Sequence, residues 1–131
     1  QVLPDRIRVL GEDHPDTLTS RNSLAYAYHG AGRLTDAITL YEQVLPDRIR
    51  VLGEDHPSTL ITRNSLAYAY HAAGRLTDAI TLYEQVLPDS IRVLGEDHWL
   101  TKTVPENLEA AQRELAQRED RSPTEESAQE D

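Results

Sequence analysis

Residues 1–42 read QVLPDRIRVLGEDHPDTLTSRNSLAYAYHGAGRLTDAITLYE, and residues 43–84 read QVLPDRIRVLGEDHPSTLITRNSLAYAYHAAGRLTDAITLYE. The two stretches are identical at 38 of 42 positions. A third copy begins at Gln85 as QVLPDSIRVLGEDH and diverges at Trp99. Self-similarity at a fixed period of this length is typical of proteins that stack one structural unit several times. The repeat therefore decides the architecture.

Each unit contains two helical patterns separated by a glycine. The first, helix A, is predicted from Pro15 to about Ala31, because proline is favoured at the first helical position. Gly32 can adopt the positive φ that ends a helix. The second, helix B, is predicted to begin near Leu34 and to end at Gly53. Its apolar residues recur at intervals of three and four, which is the helical period: Leu34, Ala37, Ile38, Tyr41, Val44 and Leu45.

The same features exclude a β fold, because helix-forming residues dominate and no alternating stretch persists. One helix pair cannot bury both of its faces, so neighbouring pairs must stack. We therefore expect an all-α fold, an α-α superhelix or solenoid of antiparallel helix pairs, with a C-terminal capping helix. The domain is expected to span residues 1–119 and to consist of a partial repeat 1–10, repeats 11–52 and 53–94, and a capping helix at about 98–119.

Helix B and the C-terminal part of the chain carry features that depart from a regular repeat. Pro46 and Pro88 fall inside the helix B pattern, where a proline removes one backbone hydrogen bond. Helix B is expected either to bend and continue or to split at the proline, and we favour the continuous helix. The capping helix carries an apolar stripe formed by Leu100, Val104, Leu108, Ala111 and Leu115. Residues 120–131 are acidic and lack apolar periodicity, so a disordered tail is expected there.

Charge and composition limit the partners. The chain has 13 Lys and Arg against 23 Asp and Glu, which gives a net charge of −10. An acidic chain is poorly suited to a phosphate backbone, so no nucleic acid is expected. No apolar run approaches the roughly 20 residues of a membrane-spanning helix, and no signal peptide opens the chain. We expect a cytoplasmic protein without a membrane partner. The start at Gln1, within a repeat, indicates a fragment of a longer protein.

Neither catalysis nor a cofactor is expected. The chain has no cysteine, which excludes a thiol nucleophile and thiolate metal ligands. It also lacks a phosphate-binding loop and a recognisable acid-base arrangement. Glu-Asp-His recurs before helix A, but adjacent side chains diverge and successive copies lie roughly 10–20 Å apart if helices pack normally. We therefore expect no metal site, and we predict that Asp13 or His14 caps helix A.

The repeat resembles the tetratricopeptide repeat (TPR) family. The resemblance lies in Leu24-Ala25-Tyr28 of helix A, Gly32 between the helices, and Ala37 with Tyr41 in helix B. The 42-residue period with LGEDHP before helix A is similar to the kinesin-light-chain subtype, and most similar to its bacterial type. Two residues depart from the family pattern: Pro46 stands where a helix former is usual, and Trp99 replaces the proline of the His-Pro pair.

The resemblance implies a right-handed superhelix in which helix A residues line a concave, peptide-binding groove. On that basis the expected groove residues are Thr19, Asn22, Tyr26, His29, Ile61, Asn64, Tyr68 and His71. An asparagine amide both donates and accepts hydrogen bonds, so it can grip a peptide backbone. The alternative role for the two asparagines is a structural ladder between neighbouring helices, and the two roles are compatible.

Two functions are therefore considered. The leading hypothesis is a non-catalytic interaction module that binds a peptide or partner protein and belongs to a larger scaffold or signalling protein. The alternative is self-association into a homo-oligomer through exposed solenoid ends or exchanged helices, because two repeats and a cap bury little apolar area. A spacer without a groove ligand is a weaker third hypothesis.

Overall fold

The computed structural model describes residues 14–130, and it describes the side chains of His14 and residues 16–120. This part of the chain forms five helices: α1 (Pro15–Gly30), α2 (Leu34–Leu52), α3 (Pro57–Ala72), α4 (Leu76–Leu94) and α5 (Trp99–Glu130). The first four are helices A and B of two repeats, and α5 is the cap. The predicted all-α solenoid is confirmed. The partial repeat expected at residues 1–10 lies outside the described residues.

A histidine caps the start of each helix A and of α5. In each case the imidazole Nδ1 accepts the backbone N–H two residues later, which satisfies one of the donors that a helix start leaves unpaired. The three pairs are His14 with Asp16 at 3.1 Å, His56 with Ser58 at 3.0 Å, and His98 with Leu100 at 3.1 Å. The predicted capping role of His14 is confirmed.

The end of helix A is a Schellman motif centred on a glycine. Gly32 has a φ of 81°, and its N–H donates to the carbonyl of His29 at 3.0 Å. The N–H of Arg33 donates to the carbonyl of Tyr28 at 2.9 Å. These two bonds define the motif, which often carries a side-chain contact between the same two residues. Here that contact is the Arg33 guanidinium, 4.6 Å from the centroid of the Tyr28 ring. The same arrangement recurs at Gly74.

Helix B remains one helix despite its internal proline. Pro46 lies within α2 and Pro88 lies at the equivalent place in α4. Pro46 and Glu42 are both exposed, so water can hydrogen-bond to the Glu42 carbonyl that the proline leaves unpaired. The continuous helix favoured from the sequence is therefore confirmed.

The helices curve around the helix A side of the solenoid. Each helix packs on its neighbour in sequence, and α3 also touches both α1 and α5. The two helix B elements, α2 and α4, make no such contact with each other. Since the helix A elements lie closer together, α1, α3 and α5 form the concave face.

The core runs along this stack between helices A and B. Tyr41 and Tyr83, one from each helix B, are its largest fully buried side chains. The predicted stripe of α5 packs against the last repeat, with Leu100, Val104 and Ala111 buried. None of the helices between residues 14 and 130 combines the length and apolarity that crossing a membrane requires.

The end of α5 differs from the sequence expectation. Disorder was expected from residue 120, whereas the structure continues the helix to Glu130. Extending an existing helix adds one hydrogen bond per residue and needs no new nucleus. The lack of apolar periodicity therefore does not by itself end a helix that tertiary packing has already formed.

Candidate functional site

The concave face contains a cleft with a volume of about 670 Å³. Pockets that bind small ligands usually measure 300–1,000 Å³, so the cleft is large enough to hold several side chains. Its walls come from α1, α3 and α5, and Tyr41 of α2 also contributes. The lining residues are Asn22, Tyr26, His29, Gly30, Tyr41, Ile61, Asn64, Ser65, Tyr68, Trp99, Thr103 and Asn107.

Most of the groove residues expected from the sequence meet in this cleft. Six of the eight line it: Asn22, Tyr26, His29, Ile61, Asn64 and Tyr68. Thr19 and His71 do not. Thr19 Oγ1 lies 3.4 Å from an Arg48 nitrogen, and His71 Nε2 lies 2.7 Å from Glu114 Oε2 on the cap. Both side chains thus connect helices, and the structure places them outside the cleft lining.

Three large rings stand open to solvent on successive helices of the concave face. The exposed fractions are 71% for Tyr26, 51% for Tyr68 and 57% for Trp99. The His29 ring stacks on Tyr68 with centroids 5.1 Å apart and an interplanar angle of 17°. Trp99 lies against His98, with centroids 5.6 Å apart. Such contacts reduce the side-chain freedom that a ligand would otherwise have to remove.

Buried tyrosines of helix B lie behind the aromatic rim. Burial raises the pKa of Tyr41, and a hydrogen bond with Ser65 of the next repeat opposes that rise. Burial likewise raises the pKa of Tyr83, and Asn107 of the cap opposes it. These phenols stay neutral near neutral pH, so the inner wall of the cleft carries hydroxyl and amide groups without charge.

A buried arginine connects the two repeats next to the cleft. Arg48 of α2 is 5% exposed, and its Nη1 donates to the Ser58 carbonyl and to Thr62 Oγ1, both at 2.8 Å. Thr62 Oγ1 in turn donates to Asn22 Oδ1 at 2.9 Å. Among the described residues no carboxylate pairs with Arg48, and burial lowers its pKa. The cation is held by neutral oxygens of the neighbouring repeat.

This network determines which end of the asparagine amide is available to a ligand. Asn22 Oδ1 is occupied by Thr62, so Nδ2 is the remaining polar end. Asn64 Oδ1 is also buried, but it has no partner among the described residues because Val104 occupies the position equivalent to Thr62. In both repeats the amide thus offers a donor to the cleft. Asn22 meets the structural-ladder expectation as well.

The cleft also contains residues that the sequence analysis did not identify. Trp99, Thr103 and Asn107 lie at i, i+4 and i+8 on α5, which places them on one helix face. Of these three, the 42-residue register points only to Thr103, which is equivalent to the expected groove residue Ile61. Asn107 is equivalent to Ser65 and Trp99 to Pro57, and neither Ser65 nor Pro57 was expected in the groove. From the sequence, α5 is predicted only as a capping helix.

Other conspicuous polar residues have structural roles. Arg21 pairs with Asp47 at 2.7 Å, and Arg63 pairs with Asp89 at 2.9 Å, in both cases between helices A and B of one repeat. The aspartate thus follows the helix B proline in both units. Among the side chains that the structure describes, those of His14 and residues 16–120, no three acidic or histidine groups are placed so that they could hold a metal ion.

Comparison with known proteins places this fold in a family. The model of the tetratricopeptide repeat matches residues 1–49 and 31–91. The chain is similar to a crystal structure from Podosopora anserina that is described as a kinesin light chain with nearly identical TPR-like repeats. The TM-score is 0.82 at 32% identity, and the match covers 92% of this chain and 57% of that one.

A variant of that protein gives a second match, with a TM-score of 0.73 at 30% identity, over 98% of this chain and 60% of the other. The chain therefore spans less than two thirds of the length of these solved structures. Among curated proteins, none matches this chain.

Proposed function

Because the chain belongs to the tetratricopeptide repeat family, we propose that its concave cleft binds a peptide segment of a partner protein without any chemical reaction. Repeats of this family are generally protein-protein interaction modules. The cleft residues Asn22, Tyr26, His29, Asn64 and Tyr68 would form the contact surface, together with Ile61. In this proposal the module is one part of a larger scaffold or signalling protein.

The observation that carries the proposal is the row of open aromatic rings on the concave face. Tyrosine and tryptophan supply large contact area with little entropy loss, and they dominate binding energy at protein interfaces. Tyr26, Tyr68 and Trp99 contribute little to the core, since each is at least half exposed. Their common position on one face supports a binding role over a packing role.

The proposal is tested by selecting peptides that bind the protein and then substituting an aromatic residue of the cleft. A displayed library of random peptides is panned against the protein, and the affinities of the selected peptides are measured by calorimetry. Tyr68→Ala removes a cleft ring, and Ile91→Ala removes an exposed side chain of α4 as a matched control. We expect Tyr68→Ala to weaken binding about tenfold, which corresponds to ~1.4 kcal/mol, and Ile91→Ala to leave it unchanged.

Two results would reject the peptide-binding proposal. The first is that no peptide is enriched over the library background. The second is that enriched peptides bind Tyr68→Ala and the parent protein equally well. Circular dichroism of both variants verifies folding, which is expected to persist because both side chains are exposed.

Self-association is the second candidate function. It is favoured by four aliphatic side chains that are exposed at equivalent places in the two repeats: Ile49, Val51, Ile91 and Val93. Light scattering on a sizing column over a wide concentration range separates the proposals. A mass that stays at 14.8 kDa rejects self-association. A mass that rises with concentration supports it, and Ile49→Ser with Ile91→Ser is then expected to restore the monomer.

We further propose that the chain is of the kinesin-light-chain-like subtype with a 42-residue repeat, of bacterial type, and that it acts in the cytoplasm. The period and the similarity to TPR-like repeats described for a kinesin light chain support the subtype. Expression with a fluorescent tag tests the location, since a diffuse cytoplasmic signal is expected and a surface or secreted signal would contradict it.

A further inference from the structure

The lining of the cleft restricts the chemistry of the peptide. We propose that the cleft binds an uncharged, proline-rich segment of a partner protein in the polyproline II conformation. This proposal rests on the peptide-binding function proposed above. It goes further because it specifies which class of peptide the cleft accepts and which classes it rejects.

The first argument is charge. Among the residues that the structure describes, no Lys, Arg, Asp or Glu lines the cleft, although such residues make up 27% of the chain. An acidic peptide would find no cation in the cleft, and the net charge of −10 would repel it. A basic peptide would be attracted from a distance but would bury its cations without carboxylate partners. An uncharged segment meets neither penalty.

The second argument is hydrogen bonding. The amides of Asn22 and Asn64 offer their Nδ2 donors to the cleft, and the indole of Trp99 has only a donor. A polyproline II segment leaves its backbone carbonyls without internal partners. Its prolines have no N–H that would need an acceptor. Donor groups of the cleft and acceptor groups of the ligand are therefore complementary.

The third argument is the arrangement of the rings. Tyr26, Tyr68 and Trp99 come from α1, α3 and α5, so they follow one another along the concave face. Polyproline II has three residues per turn, which brings every third side chain to the same side. Proline-rich segments dock in aromatic-lined grooves, where the preformed polyproline II helix loses little entropy on binding. His29 and His98 hold two of the three rings before any ligand binds.

Other peptide conformations fit the cleft less well. An added β-strand needs an exposed sheet edge, whereas the walls of the cleft are helices whose backbone groups are already paired. An amphipathic helix needs a continuous hydrophobic groove. Ile61 is the single aliphatic residue among the described residues of the lining, and the tyrosine and tryptophan rings beside it carry polar groups. The remaining lining residues are aromatic, polar or glycine.

The test begins with the peptides that the displayed library yields. We expect enriched sequences to be rich in proline and poor in charged residues. The best binder is then synthesised as a peptide of about ten residues, which extends to roughly 31 Å as polyproline II. A matched peptide has every proline replaced by alanine. Trp99 is the only tryptophan and is more than half exposed, so its emission reports occupancy of the cleft directly.

We expect the proline-rich peptide to shift the Trp99 emission to shorter wavelength and the alanine version to bind at least about tenfold more weakly. By calorimetry, Trp99→Ala should weaken binding of the proline-rich peptide by a similar factor, and Gln85→Ala, which changes an exposed side chain of α4 outside the cleft, should not. Enriched peptides that lack proline or carry several charges, yet lose affinity with Tyr68→Ala, would overturn the peptide class and leave peptide binding intact. If neither Tyr68→Ala nor Trp99→Ala changed the affinity for the selected peptides, both proposals would be overturned.

Discussion

The two interfaces that hold this solenoid together are built from equivalent positions but use different chemistry. Between the first and second repeats, Arg48 is buried and bonded to Thr62 and to the Ser58 carbonyl. Between the second repeat and the cap, Ser90 and Val104 stand at the positions of Arg48 and Thr62. At these positions the internal interface therefore buries a hydrogen-bonded cation, and the terminal interface has a small serine and a valine without a charge.

The difference shows that the third copy is adapted to end the stack. In the second repeat, helix A (α3) supplies a hydroxyl and a carbonyl that accept hydrogen bonds from the buried Arg48 of the preceding helix B. The cap lacks the equivalent hydroxyl, because residue 104 is valine, and an arginine at position 90 would be buried without that partner. Arginine and threonine thus change together, as expected if they function as a pair.

The largest expected effect comes from breaking the polar interface at its centre. Arg48→Ala removes a buried side chain and leaves Thr62 and the Ser58 carbonyl without their donor. We expect the free energy of unfolding to fall by about 3 kcal/mol. The matched change Ser90→Ala removes a hydroxyl with no partner among the described residues, and it should alter stability by less than about 0.5 kcal/mol.

Urea unfolding of the two variants and the parent protein provides the comparison. If Arg48→Ala and Ser90→Ala lowered the free energy of unfolding by the same amount, the arginine network would not distinguish the two interfaces.

The second prediction exchanges the residues that differ. Thr62→Val gives the internal interface the residue of the terminal one. It removes one acceptor from Arg48, which keeps the Ser58 carbonyl, and it leaves Asn22 Oδ1 without its donor. We expect the free energy of unfolding to fall by about 2 kcal/mol. The reverse change, Val104→Thr, provides a donor for the buried Asn64 Oδ1 and should cost less than about 1 kcal/mol. Calorimetric melting of both variants tests this, and a larger loss from Val104→Thr than from Thr62→Val would contradict it.

Contacts within a repeat, unlike those between repeats, should behave alike in both units. Asp47→Asn and Asp89→Asn each weaken a half-buried pair with an arginine of helix A, and each should cost about 1–2 kcal/mol at neutral pH. Although burial opposes it, bonding to Arg63 and Arg92 keeps the pKa of Asp89 below its usual value. Its stabilising contribution is thus complete above about pH 4 and is lost as the pH falls below that.

Unfolding experiments from pH 7 to pH 3 test this prediction. The stability difference between Asp89→Asn and the parent protein should shrink towards the acid end. A difference that does not change with pH would show that the Asp89 carboxylate charge contributes nothing to stability.

The smallest expected effects come from the histidine caps, which are the same at both interfaces. His56→Ala and His98→Ala each remove the acceptor for one backbone N–H at a helix start. Each should cost about 1 kcal/mol. Of these two histidines, His98 is the one whose ring contacts Trp99. We therefore expect His98→Ala, and not His56→Ala, to change the tryptophan emission of the folded protein. A similar emission change from His56→Ala would refute the assigned ring contact.

Local features of the fold could be predicted from the sequence because each depends on a few neighbouring residues. Pro15 and Gly32 mark the start and end of helix A, and the spacing of Ala37 and Tyr41 identifies the buried face of helix B. The backbone preferences of the proline and the glycine and the apolar character of the other two residues do not depend on distant contacts, and the packing agrees with them. Six of the eight residues expected in the groove line the cleft, because they occupy positions that the family resemblance identifies.

Features that depend on two distant residues could not be predicted in the same way. The burial of Arg48 requires Thr62 and Ser58 of the next repeat. His71 was assigned to the groove, and its contact with Glu114 depends on where the cap packs. No local preference encodes these contacts. Comparison of the three copies in register, however, shows that positions 48 and 62 change together in the third copy.

The most direct test of peptide binding on the concave face is a nuclear magnetic resonance titration with the best-binding peptide. The side-chain NH₂ signals of Asn22, Asn64 and Asn107 report the cleft, and Gln85 on α4 provides a control outside it. We predict that the three asparagine signals shift with one common affinity and that the Gln85 signal stays in place. Shifts at Gln85 and along α2 and α4, with the asparagine signals unchanged, would contradict the account.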